Sequence, residues 1–211
     1  MLMKIYKKLL SEFGEQKWWP TISKNRRFEI IVGAILTQNT AWKNVEKAIR
    51  NLDKKNMLSK ESIKNIPEKD LAMLIKPAGY YNQKAKKLKL VANFKDRITR
   101  ENLLGIWGIG KETADSILLY AYDRPYFVID AYTKRIMKRI GFKEDSYEEL
   151  QNLFQNNLPK DVKIYKEFHA LLVELGKRYC MKKPKCDKCP VKDVCRFYGA
   201  LRQKRESFAL K

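Results

Sequence analysis

From Tyr6 to Tyr179 the apolar residues recur mostly at helical spacing, broken by Pro20, Pro67, Pro77-Ala78-Gly79 and the glycines between Gly105 and Gly110. The pattern predicts helices over 2–13, 25–37, 41–53, 67–75, 81–95, 111–122, 131–140, 146–157 and 161–179. The apolar run Phe127-Val128-Ile129 is too short and isolated to argue for a sheet, so the expected fold class is all-α. Pro184 and Pro190 interrupt the segment that follows the last helix, which therefore reads as a loop. There is no internal repeat and no low-complexity linker.

Composition adds a partner. The 211 residues are 45% hydrophobic, enough for a substantial core, yet 45 Lys and Arg face 24 Asp and Glu for a formal charge of +21. Such a chain is drawn to a polyanion, and nucleic acid is the leading one. Adaptation to heat also enriches Lys, but it enriches Glu alongside, and here Glu does not keep pace. No apolar run approaches the roughly 20 residues that span a bilayer, and the start lacks the long apolar stretch of a signal peptide. A protein of the cytoplasm, without a membrane partner, is expected.

All four cysteines fall between 180 and 195, with the spacing C-x5-C-x2-C-x5-C. In a reducing compartment such clustering argues for a metal or a cluster rather than disulfides. Zinc ribbons usually pair two close knuckles, and a single central C-x-x-C with two outlying cysteines fits zinc less well than it fits a four-thiolate iron-sulfur cubane. Lys182, Lys183, Lys185, Lys188 and Lys192 surround the thiols and would offset a cluster's negative charge or touch phosphates. A structural zinc and a disulfide pair are the other readings.

Gly105-Ile106-Trp107-Gly108-Ile109-Gly110 is a turn between helical stretches, and Lys111-Glu112-Thr113-Ala114 opens the second of them. Its glycines permit close approach of another backbone, and its free amides suit a phosphate; an ordinary helix-helix turn is the plain alternative. Asp130 follows Phe127-Val128-Ile129 and precedes a basic helix with Lys134, Arg135, Lys138 and Arg139, where an aspartate would at the least cap the helix.

These segments, together with Gly79-Tyr80-Tyr81-Asn82-Gln83-Lys84-Ala85 and the cysteine loop, resemble the endonuclease III-like, helix-hairpin-helix DNA glycosylase superfamily over nearly the whole chain. The resemblance implies two helical lobes: a barrel over 22–129, and a second lobe from 1–21 plus 130–211 carrying a [4Fe-4S] cluster on Cys180, Cys186, Cys189 and Cys195. It implies a monomer bound to double-stranded DNA, and so to the nucleoid, with the damaged nucleotide flipped inward. Gly108, Gly110, Lys111 and Thr113 would hold the DNA backbone, Gln38 would enter the gap left by the base, and Asp130 would be catalytic.

Two departures matter. The first cysteine interval is one residue shorter than the usual family pattern. Glu112 occupies the position that holds the Schiff-base lysine in bifunctional members, and a carboxylate cannot form that imine. Lys111 is adjacent, but one helical step turns it by about 100°. Trp18-Trp19-Pro20 and Trp42 are either core anchors or stacking platforms for an extruded base. With Glu112 they would favour a cationic base, as an alkylated purine is. The likeness is strongest to the 3-methyladenine glycosylases of the Helicobacter type, which implies a monofunctional glycosylase for alkylated purines. A bifunctional glycosylase and lyase using Lys111, and a non-enzymatic iron-sulfur DNA-binding or redox-sensing protein, are the rivals. His169, the single histidine, lies on an apolar helix with Phe168, Leu171 and Leu172 and reads as a packing residue.

Overall fold

The computed structural model describes residues 1–209, and every regular element among them is helical. The chain opens with α1 (Leu2–Phe13), which belongs to a unit formed by Met1–Trp18 with Pro125–Lys211. The intervening unit, Trp19–Arg124, holds α2 (Arg26–Leu36), α3 (Trp42–Lys54), α4 (Lys60–Asn65), α5 (Glu68–Leu74), α6 (Tyr81–Asn93), α7 (Arg100–Leu104) and α8 (Lys111–Ser116). The chain then returns to the first unit with α9 (Ala131–Ile140), α10 (Tyr147–Asn157), α11 (Val162–Arg178) and α12 (Arg196–Ala209). Among the described residues no helix is long and apolar enough to cross a membrane.

Three of these helices escape the periodicity. α4 and α7 span under two turns, too few residues for an apolar stripe to repeat, and their signals are caps: Ser59 with Ser62 for α4, and the Thr99 side chain for α7. α12 follows the cysteine loop with a weakly patterned polar sequence. The stretch expected as one helix over 111–122 is α-helical only to Ser116, then widens into a π-helical turn over Ile117–Ala121. All five residues of that turn are buried, and α2 packs on it, so packing on several sides overrides the regular α ladder.

In the Trp19–Arg124 unit the core is built on α2, whose residues Phe28 to Leu36 are all buried against α3, α6 and the π turn. Lys84 of α6 is buried among them with 1% exposure, and its ammonium donates to Leu36 O and Ala78 O, both at 2.8 Å. These carbonyls end α2 and the short turn Lys76–Ala78, where helix geometry leaves acceptors unsatisfied. One cation thus ties together two chain ends that flank Gln38 and Gly79. Burial, helped by the nearby Lys87 charge, lowers the Lys84 pKa from 10.5 to about 8. Between those values the unfolded chain holds a proton that the folded chain has released, so stability rises with pH across that window. Melting curves of wild type and Lys84→Met between pH 7.5 and 10.5 check this: the wild type gains on the variant as pH rises, and parallel curves count against it.

In the terminal unit, Phe127 stacks on Phe154 at 3.9 Å and meets Tyr165 and Phe168 edge-on at 5.4 and 6.0 Å. Its backbone does not need a strand partner. Gln155 Oε1 accepts from Phe127 N at 3.1 Å and Gln151 Nε2 donates to Phe127 O at 2.8 Å, so two amides of α10 replace a sheet ladder. This pinned, buried run carries the chain directly into Asp130.

Candidate active site

Asp130 is the N-cap of α9: its Oδ1 accepts from Thr133 N at 2.7 Å. The carboxylate is 13% exposed, and its Oδ2 lies 3.8 Å from Nε2 of His169 on α11, which packs on α9. His169 is buried, as a packing residue is, but it also faces the aspartate. Burial lowers the imidazole's pKa more than the Asp130 charge raises it, so the ring is neutral near pH 7. Helical periodicity places His169 inside without revealing what it meets there. In the same turn the Thr133 hydroxyl is buried and has no hydrogen-bond partner among the described residues.

The glycine turn lies in the other unit. Gln38, in the turn after α2, donates to Gly108 O at 3.1 Å and Thr113 Oγ1 at 2.9 Å, and accepts from Lys87 Nζ at 2.6 Å. Gly108 has φ +79°, a backbone conformation that favours glycine, and the Lys87 side chain lies over it, Cε 2.3 Å from where a Cβ would stand. Burial lowers the Lys87 pKa. The structure therefore brings Gln38, Gly108 and Thr113 into one polar knot, with Lys87 as a member that the sequence pattern did not single out. Gly110 is the N-cap of α8, and Lys111 and Glu112 are exposed in its first turn. Trp107 projects from the turn with 52% exposure, the Lys86 ammonium 4.8 Å from its ring centre.

The tryptophans divide between the units. Trp19 is 5% exposed and meets Trp42 and Tyr120 of the π turn, each with ring centres 5.2 Å apart. It rests on Gly33, where a Cβ would lie 3.1 Å from its Nε1, so Trp19 is an anchor that backs Trp42. Trp42, half-buried, opens onto a shallow hollow with Pro20, Ile22, Glu29, Glu46 and Arg50, about 40 Å³ in volume. Trp42 Nε1 donates to Glu46 Oε1 at 3.0 Å, one helical turn on, which makes Glu46 the exposed carboxylate of the hollow. Glu29, buried, is taken up by the backbone amides of Ile22 and Ser23. Glu112 is not among the residues lining this hollow. Trp18 belongs to the terminal unit, where Lys177 Nζ lies 5.5 Å from its ring centre.

The cysteine loop is held to α9. Arg139 Nη1 donates to Cys180 Sγ at 3.3 Å and Met181 O at 2.6 Å, Arg135 Nε donates to Cys180 O at 2.8 Å, and the Cys195 thiol donates to Arg139 O at 3.3 Å. All four cysteines are free thiols and line one hollow with Ile136, Leu175, Pro184 and Val191. Among the described residues no three side chains of His, Cys, Asp or Glu converge on the position of a single ion. Four thiols around one apolar hollow are the donor set that a four-thiolate iron-sulfur cluster takes. Burial pushes the Cys189 thiol up to about 11, and the neighbouring thiols add to it, so free thiolates are disfavoured there without a cation between them.

The sequence profile of the HhH-GPD superfamily base excision DNA repair proteins matches residues 32–160. The chain is 52% identical over 213 residues to a Methanocaldococcus jannaschii protein described provisionally as a DNA repair glycosylase, covering 92% of this chain and 96% of that one. It is 32% identical to the endonuclease III of Thermotoga maritima, over 81% and 83% of the two chains. Among solved structures, the Helicobacter pylori 3-methyladenine DNA glycosylase MagIII bound to 1,N6-ethenoadenine is 32% identical with a TM-score of 0.73, over 84% of this chain and 97% of that one. An endonuclease III in a non-covalent complex with DNA superposes with a TM-score of 0.81 over 96% and 99%, at 21% identity, which is likeness of fold.

Proposed function

Because the chain belongs to the HhH-GPD superfamily of base excision DNA repair proteins and is a DNA repair glycosylase, we propose that it hydrolyses the N-glycosidic bond of alkylated purines such as 3-methyladenine in double-stranded DNA, leaving the strand uncut. The observation that carries this reading is Asp130, whose carboxylate is fixed at one oxygen by Thr133 N and whose side chain keeps 13% of its surface exposed. An alkylated purine already carries positive charge, so the bond between base and C1′ breaks with its electron pair passing to the base and neutralising it. The positive charge that develops on the sugar is then stabilised by Asp130, and water adds to C1′ as its proton passes to the carboxylate. No lysine is needed, and Glu112 supplies none at the family's position for one.

Selection of a cationic base rests on the hollow beside Trp42, where an aromatic face and the Glu46 carboxylate are neighbours. The knot of Gln38, Lys87 and Gly108 supports backbone contact by the glycine turn, and Gln38 would exchange its bonds in that knot for the gap left by a flipped base. The protein acts as a monomer in this reading. Cys180, Cys186, Cys189 and Cys195 would hold a [4Fe-4S] cluster, which when bound crosslinks the loop and carries lysines toward phosphate. MagIII, by its description a 3-methyladenine glycosylase, supports the assignment of substrate class.

Duplexes each carrying one defined lesion test the proposal. Release of alkylated purines without strand cleavage is expected, whereas release of oxidised pyrimidines and no alkylated purine refutes it. A second reading, a glycosylase with lyase activity, draws on the exposed Lys111 beside Glu112 and on the likeness to endonuclease III. Borohydride added during turnover separates the two: an imine leaves a covalent protein-DNA adduct that Lys111→Ala abolishes, and the monofunctional reading expects no adduct.

A further inference from the structure

The assignment of Asp130 rests on the glycosylase reading above, and His169 extends it. Two facts about this histidine stand together: it is buried to 6% exposure within α11, and its Nε2 is 3.8 Å from Oδ2, the carboxylate oxygen that the Thr133 amide does not take. A gap of 3.8 Å exceeds a hydrogen bond, yet catalytic contacts are often long before substrate binds and shorten afterwards. We propose that His169 is a positioning residue for Asp130, whose Nε2–H donates to Oδ2 when DNA is engaged and fixes the edge of the carboxylate that faces C1′.

The physical case lies in what a neutral imidazole does that a cation would not. A Lys or Arg in that place would orient the aspartate equally well, but its charge would oppose the positive charge growing on the sugar. Burial keeps His169 uncharged, so it orients the carboxylate and leaves its field intact. Asp130 is the charged group whose field acts on the ring, and of the helices packed on α11, α9 presents it. α1 and α10, also on α11, set Tyr6 and Phe154 against Phe168, the residue before His169 in the chain. The carboxylate thus meets the Thr133 amide at one oxygen and an uncharged ring near the other.

The chain has one histidine, so its ring nitrogens can be observed directly. Nitrogen-15 NMR of histidine-labelled protein near pH 7.5 is expected to show a neutral ring protonated at Nε2, with ring signals that move in Asp130→Asn and again when an abasic duplex is added. Signals unchanged by Asp130→Asn, or a ring protonated at Nδ1 alone, overturn the proposal. In single-turnover base release, His169→Leu is expected to fall about ten- to a hundredfold with DNA affinity held within about twofold, and His169→Gln, which keeps a donor, to recover most of that loss. Equal activity of His169→Leu and wild type overturns it as well. If His169→Leu does not fold, His169→Gln and the NMR comparison decide. A wild type that releases no base but shows Asp130-dependent ring signals defeats the glycosylase reading and supports the pairing, so the two failures are distinct.

Discussion

Asp130→Asn is expected to lower single-turnover base release by roughly a hundred- to ten-thousandfold while the protein melts and binds DNA as the wild type does. The separation is possible because the residue does two jobs with different chemical requirements. Capping α9 needs an oxygen that accepts from Thr133 N, and an asparagine side chain provides one, so the cost to stability is small. Stabilising a sugar cation and taking a proton from water need a carboxylate, which asparagine lacks. Asp130→Ala loses both, with about 1 kcal/mol of additional destabilisation from the missing cap. Rates on an alkylated-purine duplex, a DNA binding isotherm and a thermal melt together make the measurement. Full activity in Asp130→Asn would leave Asp130 as a cap and nothing more.

Cys189→Ala is expected to yield a colourless, iron-free protein where the wild type is brown and contains iron. The loop from Cys180 to Cys195 has only short 3-10 turns at Cys186–Lys188 and Lys192–Val194, and Val191 is its deeply buried apolar residue. Its attachment to α9 runs through arginine contacts to Cys180, Met181 and Lys182. A segment with so little apolar burial opens readily unless something crosslinks it. Trypsin is therefore expected to cut the variant between Lys182 and Lys192 at least about tenfold faster than wild type, with the rest of the chain initially intact. Zinc in the purified wild type, or iron retained by Cys189→Ala, counts against a four-thiolate cluster.

The long helices were legible because burial of one face leaves a repeating trace along the chain, and because a cap such as Asp130 marks where a helix begins. The cysteines were legible for a related reason: their chemistry lies within one short stretch, so spacing alone brings them together. α4 and α7 were not, since five or six residues hold too little periodicity to rise above a polar loop. The π turn was hidden too, because Ile117–Ala121 reads as an ordinary buried helix until its neighbours on several sides are known.

The candidate site shows the same division more sharply. Residue type and local order determined that Asp130 heads a helix, that the turn from Gly105 to Gly110 must bend, that Glu112 cannot be a Schiff-base nucleophile and that four thiols share a loop. Only the tertiary structure decided that His169 faces Asp130, that Lys87 lies over Gly108 and holds Gln38, that Trp19 backs Trp42, and that Glu46 is the carboxylate beside that ring. The reason is physical. A cap, a turn and a chelating loop are set by interactions between residues near in sequence, whereas these pairs form between segments far apart, where helix packing chooses the partner and periodicity reports only that a side chain is inside.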